Sequence, residues 1–167
     1  MHARTMSLVL YDIIKGNHML GKVYYATGWF NPASDEEEKR VKAKLRQLGF
    51  DVFSPREYFD LPPDADDKVR QDIFDTNCKQ IYGCDIFFGI TDYKDMGTLT
   101  ECGMVSGINM LDSRKRKIVY YCETLPEGAS FNVMLAQAAD VVVTKFEDLD
   151  KLPEWLETGH KYEGAIR

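Results

Sequence analysis

The sequence predicts an α/β protein, a single domain on a doubly wound, five-stranded parallel sheet with helices on both faces. Two observations predict it. Five short apolar runs rich in aromatic and β-branched residues recur along the chain, and helical periodicity fills the intervals between them. Strands that alternate with helices join through right-handed crossovers and end as a parallel sheet covered on both sides. With 167 residues, 44% of them hydrophobic, the chain is long enough for one sizeable core and short for two.

In chain order, residues 1–18 stand outside the pattern and read as an extension, a tag or leader, with the domain spanning 19–167. Val23-Tyr24-Tyr25-Ala26 is the first strand, and it ends in Thr27-Gly28-Trp29-Phe30-Asn31-Pro32. A helix starts near Ser34, whose hydroxyl suits a cap, with Glu36, Glu37 and Glu38 placed to favour the helix dipole. Val41, Leu45 and Leu48 give it an apolar stripe, and Gly49 stops it. Asp51-Val52-Phe53-Ser54 is the second strand. A polar, proline-containing loop over 55–67 follows, long enough to be functional. The next helix covers 67–82, with Val69, Ile73, Asn77 and Ile81 at fourfold spacing and Asn77 the polar member of that stripe. The third strand is 85–90, then a helix to about Leu111, a fourth strand at 117–121, a helix over 131–138, a fifth strand at 140–143 and a last short helix over 146–156. The order of elements is that of a flavodoxin- or Rossmann-like sheet, a class that hosts many chemistries.

Composition narrows the function. A net charge of −6 argues against nucleic-acid partners and anionic membranes, which call for basic surfaces. No apolar run approaches the roughly 20 residues that cross a bilayer, and no signal peptide is evident, so the cytoplasm is the expected location. Cys78, Cys84, Cys102 and Cys122 lie in helices and strands without metal-site spacing and read as buried small hydrophobes. Of the three histidines only His160 falls within the domain, so Ser-His or Cys-His nucleophilic catalysis and His-ligated metals lack parts. Ala26-Thr27-Gly28-Trp29 does not match the spacing of a dinucleotide site, and no phosphate-binding lysine loop is present. No cofactor and no metal are expected.

The stretch that carries chemistry is Asp95-Met96-Gly97-Thr98-Leu99-Thr100-Glu101-Cys102-Gly103. It leaves the third strand and opens a helix, which puts two carboxylates at the edge of an open sheet where ligands bind. A carboxylate pair there can do glycosyl chemistry, one group attacking and the other positioning the sugar. Thr98-x-x-Glu101 equally fits a capping box at a helix start.

From about Val23 to Arg167 the chain resembles the nucleoside 2-deoxyribosyltransferases. The matching pieces are Val23-Tyr24-Tyr25-Ala26-Thr27-Gly28-Trp29-Phe30, Asp95-x-Gly97-x-x-x-Glu101-x-Gly103, Phe131-Asn132-Val133-Met134 and Tyr162-Glu163-Gly164-Ala165, in that order. The resemblance implies transfer of 2-deoxyribose between nucleobases. Glu101 would be the nucleophile at C1′, forming a covalent glycosyl intermediate with net retention, and Tyr24 would orient it. A position in the first helical turn is expected to favour the ionised carboxylate. Asp95, beside Gly97, and Asn132 would hold the sugar's 5′-hydroxyl, with Asn132 supplied by a neighbouring subunit. Trp29 and Phe30 would wall the base, Met134 would pack around the site, and Arg167 would carry a terminal carboxylate into it. Shared sites imply a homo-oligomer of even order, a dimer or a hexamer. The implied partners are deoxynucleosides and free bases, and the implied role is nucleoside salvage.

Two positions depart from the family. Asn77 stands where members often carry an aspartate that meets the nucleobase, and an amide cannot exchange a proton at neutral pH. Arg167 stands where an aromatic residue is usual. Arg56-Glu57-Tyr58, in the long loop, falls in the region that contacts the base, and purine against pyrimidine stays open. Two other readings stand beside transfer. One is a hydrolase releasing base from deoxynucleosides or their 5′-monophosphates, since water and an acceptor base compete for one intermediate. The other is a binding module without turnover, which would not need Glu101.

Overall fold

The computed structural model describes residues 19–59, 62, 64–125 and 128–167, so the expected extension over 1–18 lies outside the described residues. The elements are β1 (Lys22–Ala26), α1 (Pro32–Gln47), β2 (Asp51–Phe53), α2 (Pro55–Tyr58), α3 (Asp67–Gly83), β3 (Ile86–Ile90), α4 (Met96–Leu111), β4 (Lys117–Tyr121), α5 (Val133–Ala138), β5 (Val141–Val143), a 3-10 turn (Phe146–Lys151) and α6 (Leu152–Thr158). The five strands pair in parallel in the order β2-β1-β3-β4-β5. The expected α/β sheet is the observed one. Strand order reverses between β1 and β3, and a crevice at the carboxyl ends of two such strands is where open sheets bind ligands.

Alternation along each strand sends neighbouring residues to opposite layers. Val23 and Tyr25 of β1, Phe88 of β3 and Val119 and Tyr121 of β4 pack with Val41 and Leu45 of α1 and with Leu149 and Leu152. Tyr24 of β1, Phe87 of β3 and Tyr120 of β4 face the other way, against Ile81 of α3, Cys102 and Val105 of α4 and Ala136 of α5. Because both faces are covered, the strands are apolar almost throughout. Gly89 sets how closely α4 approaches. A Cβ there would stand 3.3 Å from both Cys102 Sγ and Tyr120 Cδ1 and 3.1 Å from Phe87.

Several local expectations are corrected. Helix α1 is capped by Asn31, not Ser34. The Asn31 side chain accepts from Ser34 N at 3.0 Å and Ser34 Oγ accepts from Asn31 N, with Pro32 in the first turn. Glu37 and Glu38 do not decorate the exposed start of α1; they are buried in its second turn. The 55–67 loop contains the short helix α2. On α3 the fourfold stripe is not buried as a unit: Ile81 is covered, Ile73 is half-buried and Val69 is exposed. Phe131 is not helical but bridges to Ile166, and the last helix is preceded by a full 3-10 segment. Cys84, Cys102 and Cys122 are buried, Cys78 is half-buried, and all four are free thiols. His160 stacks on Trp155 with ring centroids 3.8 Å apart.

Candidate active site

The site begins with the cap of α4. Asp95, not Thr98, occupies the N-cap position. Its Oδ2 accepts from Thr98 N at 2.7 Å and from Thr98 Oγ1 at 2.9 Å. The Thr98–Glu101 capping box is therefore not formed, and Glu101 lies in the second turn with its carboxylate free to face the sheet. There it meets β1: Tyr24 Oη donates to Glu101 Oε1 at 2.5 Å. Tyr24 is fully buried, its ring stacked between Phe53 and Phe87 at 5.8 Å centroid distances. Such packing fixes the direction of the phenol, and a distance this short is typical of a hydrogen bond to an ionised oxygen.

Electrostatics at this pair differ from the expectation of a carboxylate favoured by the helix dipole. The dipole's influence falls off beyond the first turn. Burial dominates instead and pushes the Glu101 carboxyl up to about 7; the Tyr24 hydrogen bond pulls down and the nearby Asp95 charge adds to the rise. Burial, then the Glu101 charge and hydrogen bond, raise the Tyr24 phenol far above its ordinary value, so it stays a neutral donor.

A cleft of about 200 Å³ opens over this pair. It is lined by Glu101, Asp95, Gly97 and Thr98 from α4 and its cap, by Thr27, Trp29 and Phe30 after β1, and by Pro55 and Asn77. Gly28 makes the corner possible: a Cβ there would lie 2.9 Å from Asp95 Cβ, closer than side chains tolerate. Trp29 and Phe30 stack at 5.3 Å, with Phe30 largely in solvent. The Asn77 Oδ1 is buried in this cleft without a hydrogen-bond partner in the protein. Asp75, on the exposed side of α3, accepts from Gln71 Nε2 and is turned away.

Seven of the residues singled out by sequence thus come together: Tyr24, Trp29, Phe30, Asn77, Asp95, Gly97 and Glu101. Three do not. Asn132 and Arg167 line a separate, larger hollow of about 730 Å³ with Asp92, Lys94, Leu99 and Phe131. Asn132 caps α5, accepting from Met134 N and Leu135 N. Residues 165–167 lie alongside 131–133, with Val133 N donating to the Arg167 carbonyl and Arg167 N to that of Phe131. Met134 is exposed. The first turn of α4 separates the hollows, Thr98 lining one and Leu99 the other. Sequence reasoning did not mark Thr27, Thr98 and Pro55 as lining residues, although Thr27 directly follows β1, Pro55 stands two residues after β2 and Thr98 lies inside the acidic motif.

A family model described as nucleoside 2-deoxyribosyltransferase matches residues 23–134, which contain every residue of the Glu101 cleft. The chain belongs to the nucleoside 2-deoxyribosyltransferase family. It is accordingly an enzyme of the pentosyltransferase class, with nucleoside 2-deoxyribosyltransferase-type activity. Among solved structures it is similar to a 2-deoxyribosyltransferase from the psychrotolerant bacterium Bacillus psychrosaccharolyticus, at 26% identity and a TM-score of 0.68, over 84% of this chain and 98% of that one. A conserved protein from Enterococcus faecalis V583 shares the fold, at 18% identity and a TM-score of 0.60, over 84% of this chain and 99% of that one. No curated protein matches the sequence significantly. Among the described residues of this deoxyribosyltransferase, no helix is long and apolar enough to cross a membrane.

Proposed function

We propose that this chain exchanges bases between 2′-deoxyribonucleosides through a glycosyl–Glu101 intermediate with net retention at C1′. The observation that supports this most is the Tyr24–Glu101 pair, in which Glu101 lines the cleft and the fully buried Tyr24 holds it from behind, a carboxylate held by one rigid donor with its second oxygen left for chemistry. In the first step a Glu101 oxygen bonds to C1′ while the C1′–N bond breaks and its electron pair leaves on the base, which takes up a proton. In the second, a nitrogen of the incoming base attacks C1′ from the opposite side, loses its proton, and Glu101 is released as carboxylate. Two inversions give retention.

Asp95 would accept from the sugar's 5′-hydroxyl through Oδ1, since Oδ2 is engaged by Thr98. A carboxylate at that place repels a 5′-phosphate, which favours nucleosides over nucleotides. Trp29 and Phe30 offer the base a flat wall, and the unpartnered Asn77 Oδ1 offers it an acceptor. Asn77 cannot supply the leaving base's proton, so that proton comes from solvent or another group.

Asn132, Met134 and Arg167 would serve the cleft of a second copy. Their placement outside this chain's own cleft, and the exposure of Met96, Val133 and Met134 around the two hollows, support a homo-oligomer of even order with shared sites. A role in nucleoside salvage in the cytoplasm follows from such an activity.

The test is incubation with 2′-deoxyinosine, with and without adenine or cytosine, followed by chromatography, with Glu101→Ala as control. New deoxynucleoside that requires both the acceptor base and Glu101 is the expected result. Hypoxanthine release indifferent to acceptor would assign hydrolysis instead, and no reaction with thymidine or deoxycytidine donors either would overturn the mechanism. Mixing Glu101→Ala with Asn132→Ala protein tests site sharing: activity recovered in the mixture requires sites built from two chains.

A further inference from the structure

Arg56 opens the segment that the sequence places beside the base, yet its guanidinium does not line the Glu101 cleft. It lies in the groove behind the cleft wall, with Glu38, Lys42 and Glu57. Three contacts define its position. Its Cζ stands 5.9 Å from the centroid of the Trp29 ring, within cation–π range. Its Nη1 is 3.2 Å from Glu38 Oε2 and also pairs with Asp35.

Glu38 gives this arrangement its stiffness. The residue is 0% exposed, and its other oxygen takes Lys42 Nζ at 2.5 Å, with Lys42 itself 7% exposed. Lys42 continues to Glu57 at 3.0 Å, and Glu57 accepts from Arg46 at 3.0 Å. The alternating charges tie α1 to α2, and the Arg46 and Lys42 contacts hold the Glu57 carboxyl down at about 2. Moving Arg56 away would strand a fully buried carboxylate with one cation in place of two, which a low-dielectric setting opposes strongly. Arg56 is thus fixed from behind, and the face it presents forward carries Trp29. Its chain neighbour Pro55 lines the same cleft, so two parts of the wall hang on one anchored residue.

We propose that Arg56 is a positioning residue that sets the Trp29 ring, and through that ring the affinity for the nucleobase, without touching substrate. The assignment rests on the reading of the Glu101 cleft as a deoxynucleoside site. Lysine at 56 would keep a cation for Glu38 but lose the planar group that can face an indole while bonding sideways to carboxylates.

The experiment uses Arg56→Lys and Arg56→Ala in a Trp155→Phe background, where Trp29 is the remaining tryptophan of the two in the chain. Acrylamide quenching of Trp29 should rise about twofold in both variants relative to the background protein, with thermal melting confirming that each is folded. KM for a deoxynucleoside donor should rise by about fivefold to tenfold while kcat stays within about twofold. Adding Arg56→Lys to Trp29→Ala should change KM no further, since the residue acts through the ring that is gone. Unchanged quenching, or KM effects that multiply in the double variant, would overturn the proposal. The fluorescence arm decides it even if no base exchange is detected, so its failure and that of the proposed activity are told apart.

Discussion

Replacing Tyr24 by Phe removes one oxygen from a fully buried side chain in the middle of β1 and leaves the stack with Phe53 and Phe87 in place. What is lost is the 2.5 Å hydrogen bond to Glu101. That bond lowers the Glu101 pKa, which burial has already lifted to about 7. A hydrogen bond to a charged group contributes about 1.5–3 kcal/mol, and each pKa unit corresponds to about 1.4 kcal/mol. The variant's Glu101 should therefore titrate roughly one to two units higher. In kcat/KM against pH, which reports groups of the free enzyme, the acid limb of the parent should fall near pH 7 and that of Tyr24→Phe between roughly 8 and 9. At pH 7 the variant should be about fivefold to fiftyfold slower, and the deficit should shrink as pH rises. The assay is initial rate of base exchange from pH 5.5 to 9.5, with stability checked over the same range. An acid limb that stays put, with a uniform loss at all pH values, would refute the reasoning: Tyr24 would then shape the site without tuning its charge.

Glu101→Gln should abolish turnover, by a factor of about a thousand or more, and stabilise the fold at alkaline pH. Because the folded carboxyl titrates near 7 and an ordinary one near 4.5, the folded state holds more protons between these values, so native stability falls as pH rises through that window. The rise from 4.5 to about 7 is worth about 3 kcal/mol, and denaturant melts should show the variant ahead by up to that amount at pH 8 and level with the parent at pH 4. Gly28→Ala should push Asp95 from its corner, given the 2.9 Å approach of an added Cβ, with donor KM rising about tenfold or more in steady-state assays. Asn132→Ala should cost about 1 kcal/mol by uncapping α5, read from denaturant melts. Asn77→Asp should add a titrating group to the cleft and make the donor preference pH-dependent, seen by comparing purine and pyrimidine donors at pH 6 and 8.

The layout of the sheet was open to reading because nearly every strand residue is buried on one face or the other, leaving runs such as 86–90 and 117–121 with an unmistakable apolar signal. Helix starts were harder, and two errors share a cause. Asn31-x-x-Ser34 and Asp95-x-x-Thr98 each place a side chain that can cap three residues before another that can. Both motifs use the earlier residue, where sequence reasoning favoured Ser34 and Thr98. Glu37 and Glu38 misled for a different reason: local dipole arguments favour acids on an exposed first turn, but α1 turns these two toward the domain, where Arg40, Lys42 and Arg56 meet them. The Tyr24–Glu101 contact joins residues 77 positions apart and has no signature in spacing. Glu101 was marked by the acidic motif and Tyr24 through the resemblance, whereas the rise of the Glu101 carboxyl to about 7 needed the fold, because burial causes it. Arg56 was marked by sequence only as a neighbour of the base, since nothing in its surroundings along the chain announces Glu38 as its anchor.

Tyr24 and Tyr25 are adjacent in the chain yet belong to different halves of the molecule, one among the residues beneath the cleft and the other in the layer shared with α1 and α6. This separation gives an engineer two nearly independent substrates for mutation. Robustness can be sought by refilling the layer of Val23, Val119 and Val143, leaving untouched Tyr25, whose hydroxyl donates to the Glu38 carbonyl at 3.0 Å, and Glu38 with its cations, while selectivity is sought among the residues that ring Glu101. Variants from the two searches should combine without mutual interference, because the sheet between them acts as a partition rather than a relay.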